Sequence, residues 1–330
     1  NTVLYTGNAT ARSITGVGFQ PDWVWSKARG LAQAHRLVDS SRGVQKSLYS
    51  NGTNAEATES GLTAFNADGF SIGTETSFNY NTEAFVAWNW KANGGTTSSN
   101  SDGSVTTTVQ ANTTAGFSIV TYTGTGANAT FGHGLGAVPK MIITKTRSHT
   151  GDWMVYHGAN TSAPQTDFLK LNATNATEDL NTVWNDTAPT SSVFTLGSNG
   201  DVNTSGRTQV AYCFAEIEGY SKFGSYTGNS NNDGTFVYTG FRPAMVMFKR
   251  TTGADSWFIY DIKRNSHNVM DKYLLADTSG AEATDASPLG LDMVSNGFKW
   301  RINSGARNTT GQTYIYMAFA EQTFKYANAR

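Results

Sequence analysis

The chain has 330 residues, of which 15% are charged and 12% aromatic, with a formal net charge of −1. A charge that small gives no field to draw nucleic acid or an anionic membrane surface, and so many aromatics exclude a disordered chain. One cysteine, Cys213, excludes an internal disulfide and a cysteine-rich metal site, and no apolar run approaches the roughly 20 residues of a membrane helix. Neutral amides and hydroxyls must therefore supply the surface, a composition that suits an extracellular or virion protein.

From the first residue onward the reading is β. "YTG" at Tyr5 precedes "GFQPDWVWSKAR" (18–29), where Pro21 is followed by an apolar triplet and then by Lys27. Proline cannot donate to a ladder but is tolerated where a strand begins, and a continuous apolar triplet suits a strand buried on both faces. This stretch predicts a strand entry and a core. His35 and Asp39 follow, then "NAEAT" (54–58), which predicts a turn or two of helix at most. "NADGFSIG" (66–73) predicts a tight turn into a strand, and "AFVAWNW" (84–90) an aromatic closing strand.

The Gly-, Ser- and Thr-rich stretch 93–114 reads as a linker, although "SVTTTVQ" within it has the pattern of an edge strand. Past it the same grammar returns. Tyr122, Pro139, Lys145, Trp153, His157, "TNAT" (174–177) and "QVAYCFAE" (209–216) follow in order. Then come Tyr226, Pro243, Lys249, Trp257, Asp261, "AEAT" (281–284) and "YIYMAFAE" (314–321). Tyr-to-Tyr offsets of 117 and 104 (122 − 5 and 226 − 122) make the unit domain-sized. The expected fold is all-β: three tandem β-sandwich, jelly-roll-like modules at 1–93, 114–219 and 220–330. Residues 94–113 form the linker or edge strand between the first two. The second and third modules run together without a spacer, which predicts a rigid junction there and a looser one between the first and second.

An internal repeat also tests candidate chemistry, because a site built by the fold should recur. His35 stands where the other units have Trp153 and Trp257, and His157 where they have Asp39 and Asp261. His133, His149 and His267 lack a histidine partner at ligand spacing. Glu56 and Glu282 align with Asn175, and Glu216 and Glu321 with Ala92, so no acid–nucleophile pair of carboxylates emerges. "GTGAN" (124–128) and "GHGLG" (132–136) are followed by no helix and read as turns rather than phosphate cradles. Trp23, Trp25, Trp88, Trp90, Trp184 and Trp300 are sugar-stacking candidates by type, but most fall in predicted core strands. Sequons at Asn8, Asn128, Asn172 and Asn308 are what chance supplies in a chain this rich in Asn and Thr. The sequence therefore predicts no catalytic residue, no cofactor and no metal, and no stacking residue can be named.

"TGVGFQPDWVWSKAR", "NAEATESGLTAFNADGFSIG", "VAWNWKANGG" and the segment from "TGFRPAMVMFKR" to "YANAR" resemble an uncharacterised domain family of marine bacteriophage structural proteins. Its members, from cyanophages and pelagiphages, are labelled tail fibre or virion structural protein. The resemblance implies a non-enzymatic virion component, a tail or head fibre or other appendage, located on the particle surface. Implied partners are copies of itself, with a trimer favoured, other virion proteins and a host-surface glycan, but no nucleic acid and no inserted membrane. Alternatives are a carbohydrate-binding host-recognition module, a capsid decoration protein and a bacterial surface filament subunit.

Overall fold

The computed structural model describes residues 1–286, 289–303 and 305–321, and there the chain is predominantly β. Residues 322–330, the last of the third predicted module, lie outside the described residues. Helix is confined to single turns such as Thr76–Asn79, Gly200–Asn203 and Gly305–Asn308. The "NAEAT" stretch makes no helix and instead ends in the two-residue strand Ala57–Thr58.

Each repeat lays down the same antiparallel order. An opening strand pairs with the closing strand, the closing strand with the proline strand, and the proline strand with a flanking strand. In the first repeat these are Thr2–Thr6, Ala84–Trp90, Trp23–Ala28 and Arg36–Asp39. In the second they are Phe117–Thr123, Thr208–Ala215, Pro139–Thr146 and Met154–His157. In the third they are Ser221–Thr227, Thr313–Ala320, Pro243–Arg250 and Phe258–Asp261. Pro139 and Pro243 begin their strands, with a bulge before Met141 and Met245, whereas Pro21 lies two residues ahead of Trp23. The turn signal in "NADGFSIG" works as expected, Asn66 pairing with Gly69, and "VSNG" (294–297) makes the matching turn in the third repeat, Val294 pairing with Gly297.

Alternation along the proline strands divides the core in two directions. Val24, Ile142 and Val246 face three separate clusters, each completed by a small second sheet of the same repeat, carrying Phe70, Phe131 or Phe298. Trp23, Trp25, Met141, Ile143, Met245 and Met247 face the other way, into one cluster built by all three repeats. The triplets "MII" (141–143) and "MVM" (245–247) thus do not belong whole to the core of their own repeat. Only the middle residue does, because a strand buried on both faces must serve two cores.

The junction between the first and second repeats is not loose. Ser98–Asn100 and Thr107–Asn112 extend the second repeat's sheet, the latter strand pairing with Phe117–Thr123. The Asp22 carboxylate accepts the backbone N–H groups of Ala92, Gly94 and Gly95 at 2.7–2.9 Å. Gln110 accepts from Gly95 N–H and donates to the hydroxyls of Ser40 and Ser41. A glycine-rich stretch became ordered because a buried carboxylate consumes its N–H donors. "SVTTTVQ" and "FSIVTYTG" consequently cover one another's edges. Thr2–Thr6 and Ser221–Thr227 stand at the ends of their sheets instead.

Candidate functional site

The repeat-matched residues go into the framework. Tyr5, Tyr122 and Tyr226 each donate their hydroxyl to a carbonyl of the helical turn before the closing strand, at Phe78, Val202 and Arg307. In each of those turns sits a buried asparagine, Asn79, Asn203 or Asn308. Its amide donates to a carbonyl six residues earlier, Gly73, Gly197 or Ile302. Its oxygen accepts a backbone N–H from the loop after the opening strand, at Asn8, Thr125 and Asn229. Pro21, Pro139 and Pro243 are buried at strand entries. Lys27, Lys145 and Lys249 are fully buried, and their ammonium groups are held by carbonyls: Ala28 and Leu31, Thr53 and Gly151, Thr174 and Asp255. Burial lowers each lysine to about 8.

Two of those lysine contacts cross between repeats, and they begin a cyclic pattern. The Trp153 indole donates to Tyr49 O of the first repeat, and the Trp257 indole donates to Lys170 O of the second, both at 2.8 Å. At the matching place His35 reaches Leu275 O of the third repeat at 3.0 Å. An indole can only donate, so Trp25 Nε1 at 2.8 Å from His35 Nδ1 fixes the neutral tautomer with the proton on Nε2. Burial depresses His35 to about 3. His35 thus replaces tryptophan as a donor across the seam as well as filling its space. The repeats close into a ring with three seams: second on first, first on third, third on second.

Two seams are charged. In the seam of second on first, Arg147 makes a two-point ion pair with Glu56, at 3.0 and 3.1 Å. Glu56 also takes Arg42 Nη1 at 2.9 Å, and Arg42 Nε meets Asp39 at 2.5 Å with both side chains fully buried. The Tyr212 hydroxyl donates to Asp39 at 2.7 Å from the neighbouring repeat. The seam of first on third repeats this with Arg29, Glu282, Arg264 and Asp261, and here Trp88 Nε1 donates to Asp261 at 3.1 Å. Desolvation opposes the charge on Glu56, but its hydrogen bonds and two guanidinium neighbours outweigh that and hold it below the usual carboxylate range.

The third seam has the same backbone contact but no ion pair at the matching places. Thr177 N–H donates to Thr251 O, as Glu56 N–H does to Arg147 O and Glu282 N–H to Arg29 O. This register sets Thr177 opposite Glu56 and Glu282 and moves the sequence alignment on Asn175 by two residues. Thr251 replaces the outer arginine, Asn160 the inner one, and His157 the aspartate. Facing His157 is the strand position of Met317, which pairs with Met247 as Tyr212 pairs with Ile143 and Trp88 with Trp25. Methionine offers no donor for a carboxylate, so His157 Nε2 meets the Tyr316 carbonyl instead, at 3.1 Å, and burial lowers it to about 4.

The remaining candidates stay apart. His133 is buried against Thr190 O, while His149 and His267 each lie beside a neighbouring serine hydroxyl. Glu216 pairs with Lys222 and Glu321 with Arg242. All eight tryptophans are at most 5% exposed, and among the described residues Tyr238, at 63%, is the most exposed of the large apolar side chains. Asn308 is buried, and Cys213 is a buried thiol pushed upward by desolvation. Among the described residues no three His, Cys, Asp or Glu side chains gather as a metal site, and no helix is long and apolar enough to cross a membrane. A cavity of about 420 Å³ lies where the first and third repeats meet, walled by Trp88, Trp90, Tyr220 and Phe319.

The family model described as Domain of unknown function (DUF7483) matches residues 1–323. No curated protein matches the chain.

Proposed function

We propose that this chain, which belongs to the DUF7483 family, is a non-enzymatic structural component of a virion, a tail or head fibre or related appendage. In this reading each large sheet and its small second sheet form one sandwich module, three in tandem. The observation that carries it is the use of the repeat. The positions matched three times over are spent on strand entry, helix anchoring, loop anchoring and seam contact, which is what a load-transmitting scaffold requires. The resemblance of the proline and closing strands to phage structural proteins supports the same assignment, as does a surface made largely without charge.

Strands Thr2–Thr6 and Ser221–Thr227 end their sheets, and a sheet edge is a template for pairing. A homo-oligomer, with a trimer favoured, would cover such edges and attach the chain to its particle. Light scattering on purified protein tests this, with a mass several times 35.5 kDa expected. A monomer at high concentration would count against the oligomer. Labelled antibody failing to decorate any particle in electron micrographs would overturn the virion assignment.

A further inference from the structure

The uncharged seam opens into a groove of about 540 Å³, within the range of about 300–1,000 Å³ typical of small-molecule sites. Its lining contains no Lys, Arg, Asp or Glu and no aromatic ring. Hydroxyls dominate, from Thr177, Thr251, Thr313 and Ser225 together with the exposed rim residues Thr161 and Ser162. Asn160 also lines it and is only 3% exposed. Its Oδ1 accepts from the Thr177 hydroxyl at 2.7 Å, while Nδ2, itself buried at the floor of the groove, has no hydrogen-bond partner. A buried amide donor left unmade is costly, which marks the place where a ligand oxygen would be gained. In the two charged seams the corresponding room is taken by the Arg147–Glu56 and Arg29–Glu282 pairs. The groove exists because Thr251 and Thr177 are too short to fill it.

We propose that this groove binds one neutral sugar unit. A pyranose presents hydroxyls that both donate and accept, matching a wall of threonine and serine hydroxyls. Its oxygen atoms suit the idle Asn160 Nδ2, and its C–H face suits threonine methyls. An anionic ligand finds no cation here, and a cationic one no carboxylate. The site stands on the seam geometry alone and does not depend on the virion assignment.

The experiment is saturation-transfer NMR on the whole protein with methyl glycosides of glucose, galactose, mannose and N-acetylglucosamine. At least one is expected to receive saturation, with millimolar or tighter affinity. The double variant Thr177→Glu/Thr251→Arg copies the ion pair of the other seams into this one. It should fold and should bind the sugar about tenfold or more weakly. Ser162→Arg, at the exposed rim, blocks the groove without touching the seam and should weaken binding in the same direction, which covers the case of a misfolded double variant. No saturation of any probe, or binding that survives Ser162→Arg and the folded double variant, overturns the proposal.

Discussion

The charged seam of second on first and the neutral seam of third on second join the same kinds of strand through the same backbone contact, yet by different side-chain chemistry. One buries a chain of four ionised groups, Arg147, Glu56, Arg42 and Asp39, closed by the Tyr212 hydroxyl. The other makes do with Thr251, Thr177, Asn160 and His157, which reach one another and the Tyr316 carbonyl with neutral hydrogen bonds. The pair teaches that the charges are not what makes the seam. A buried ion pair contributes little net stability over a well-packed neutral substitute, but it becomes expensive once half of it is removed. The network therefore changes as a set: without a donor on the facing strand, the aspartate goes, and with it both arginines and the glutamate.

The largest expected effect comes from breaking a charged seam in its middle. Asp261→Ala leaves the Arg264 guanidinium fully buried beside Trp88 and should cost about 3–5 kcal/mol in urea unfolding. An effect below about 1 kcal/mol would mean that Arg264 escapes to solvent and that the seam is not sealed. His157→Ala, at the matching place in the neutral seam, removes two neutral hydrogen bonds and should cost about 1–3 kcal/mol by the same assay. Equal costs for the two variants would erase the distinction between the seams.

Acid separates them further. The unfolded chain protonates its histidines near 6.5, but folded His157 and His35 resist until about 4 and about 3. Between those limits the unfolded state binds more protons, so stability falls as pH drops from about 6.5 toward 4. Each histidine contributes a slope of about 1.4 kcal/mol per pH unit. Glu56 acts lower down, because its depressed value keeps it ionised until the pH falls below the ordinary carboxylate range. His157→Gln should lower the slope between 6.5 and 4 by about 1.4 kcal/mol per pH unit, as read from unfolding midpoints across pH. An unaltered slope would show that His157 is not held neutral. At the alkaline end the three lysines work with the same sign. Folded near 8 against 10.5 unfolded, they should make stability rise between about pH 8 and 10 by about 1.4 kcal/mol per pH unit each, a gain that the burial-raised tyrosines do not offset until above that window.

Much of the strand framework was legible in the sequence. Prolines at strand entries, aromatic closing strands and Asn/Asp-Gly turns report local constraints, and local constraints leave local signals. Asn79, Asn203 and Asn308 were equally periodic, each five positions before its closing strand, and were missed because a single polar residue at domain-length spacing does not stand out. The seams were not legible for another reason. Arg29 meets Glu282 across 253 residues and Tyr212 meets Asp39 across 173, and no pattern within one repeat encodes which neighbour will face it. For the same cause the first and third residues of "WVW", "MII" and "MVM" read as three cores, when their side chains enter one. Asp22 lay in plain view within the opening motif, but its role depended on the glycines of a stretch that composition alone makes a linker.

The common core has a consequence for how the chain is made. Trp23, Trp25, Trp88 and Trp90 emerge from the ribosome early, yet the cluster they enter includes Met317 and Phe319 from the far end of the chain. The first sheet can pair Thr2 with Trp88 as soon as that strand has emerged, but its inner face, which the second repeat covers only in part, is not closed until the third repeat is synthesised. Contacts this distant in sequence form slowly, and an apolar face left waiting is where nascent chains stick to one another. A truncated product that stops before Thr313 would leave that cluster without Ile315, Met317 and Phe319 and so open on one side, so synthesis of the last closing strand is the step that makes the early repeats safe.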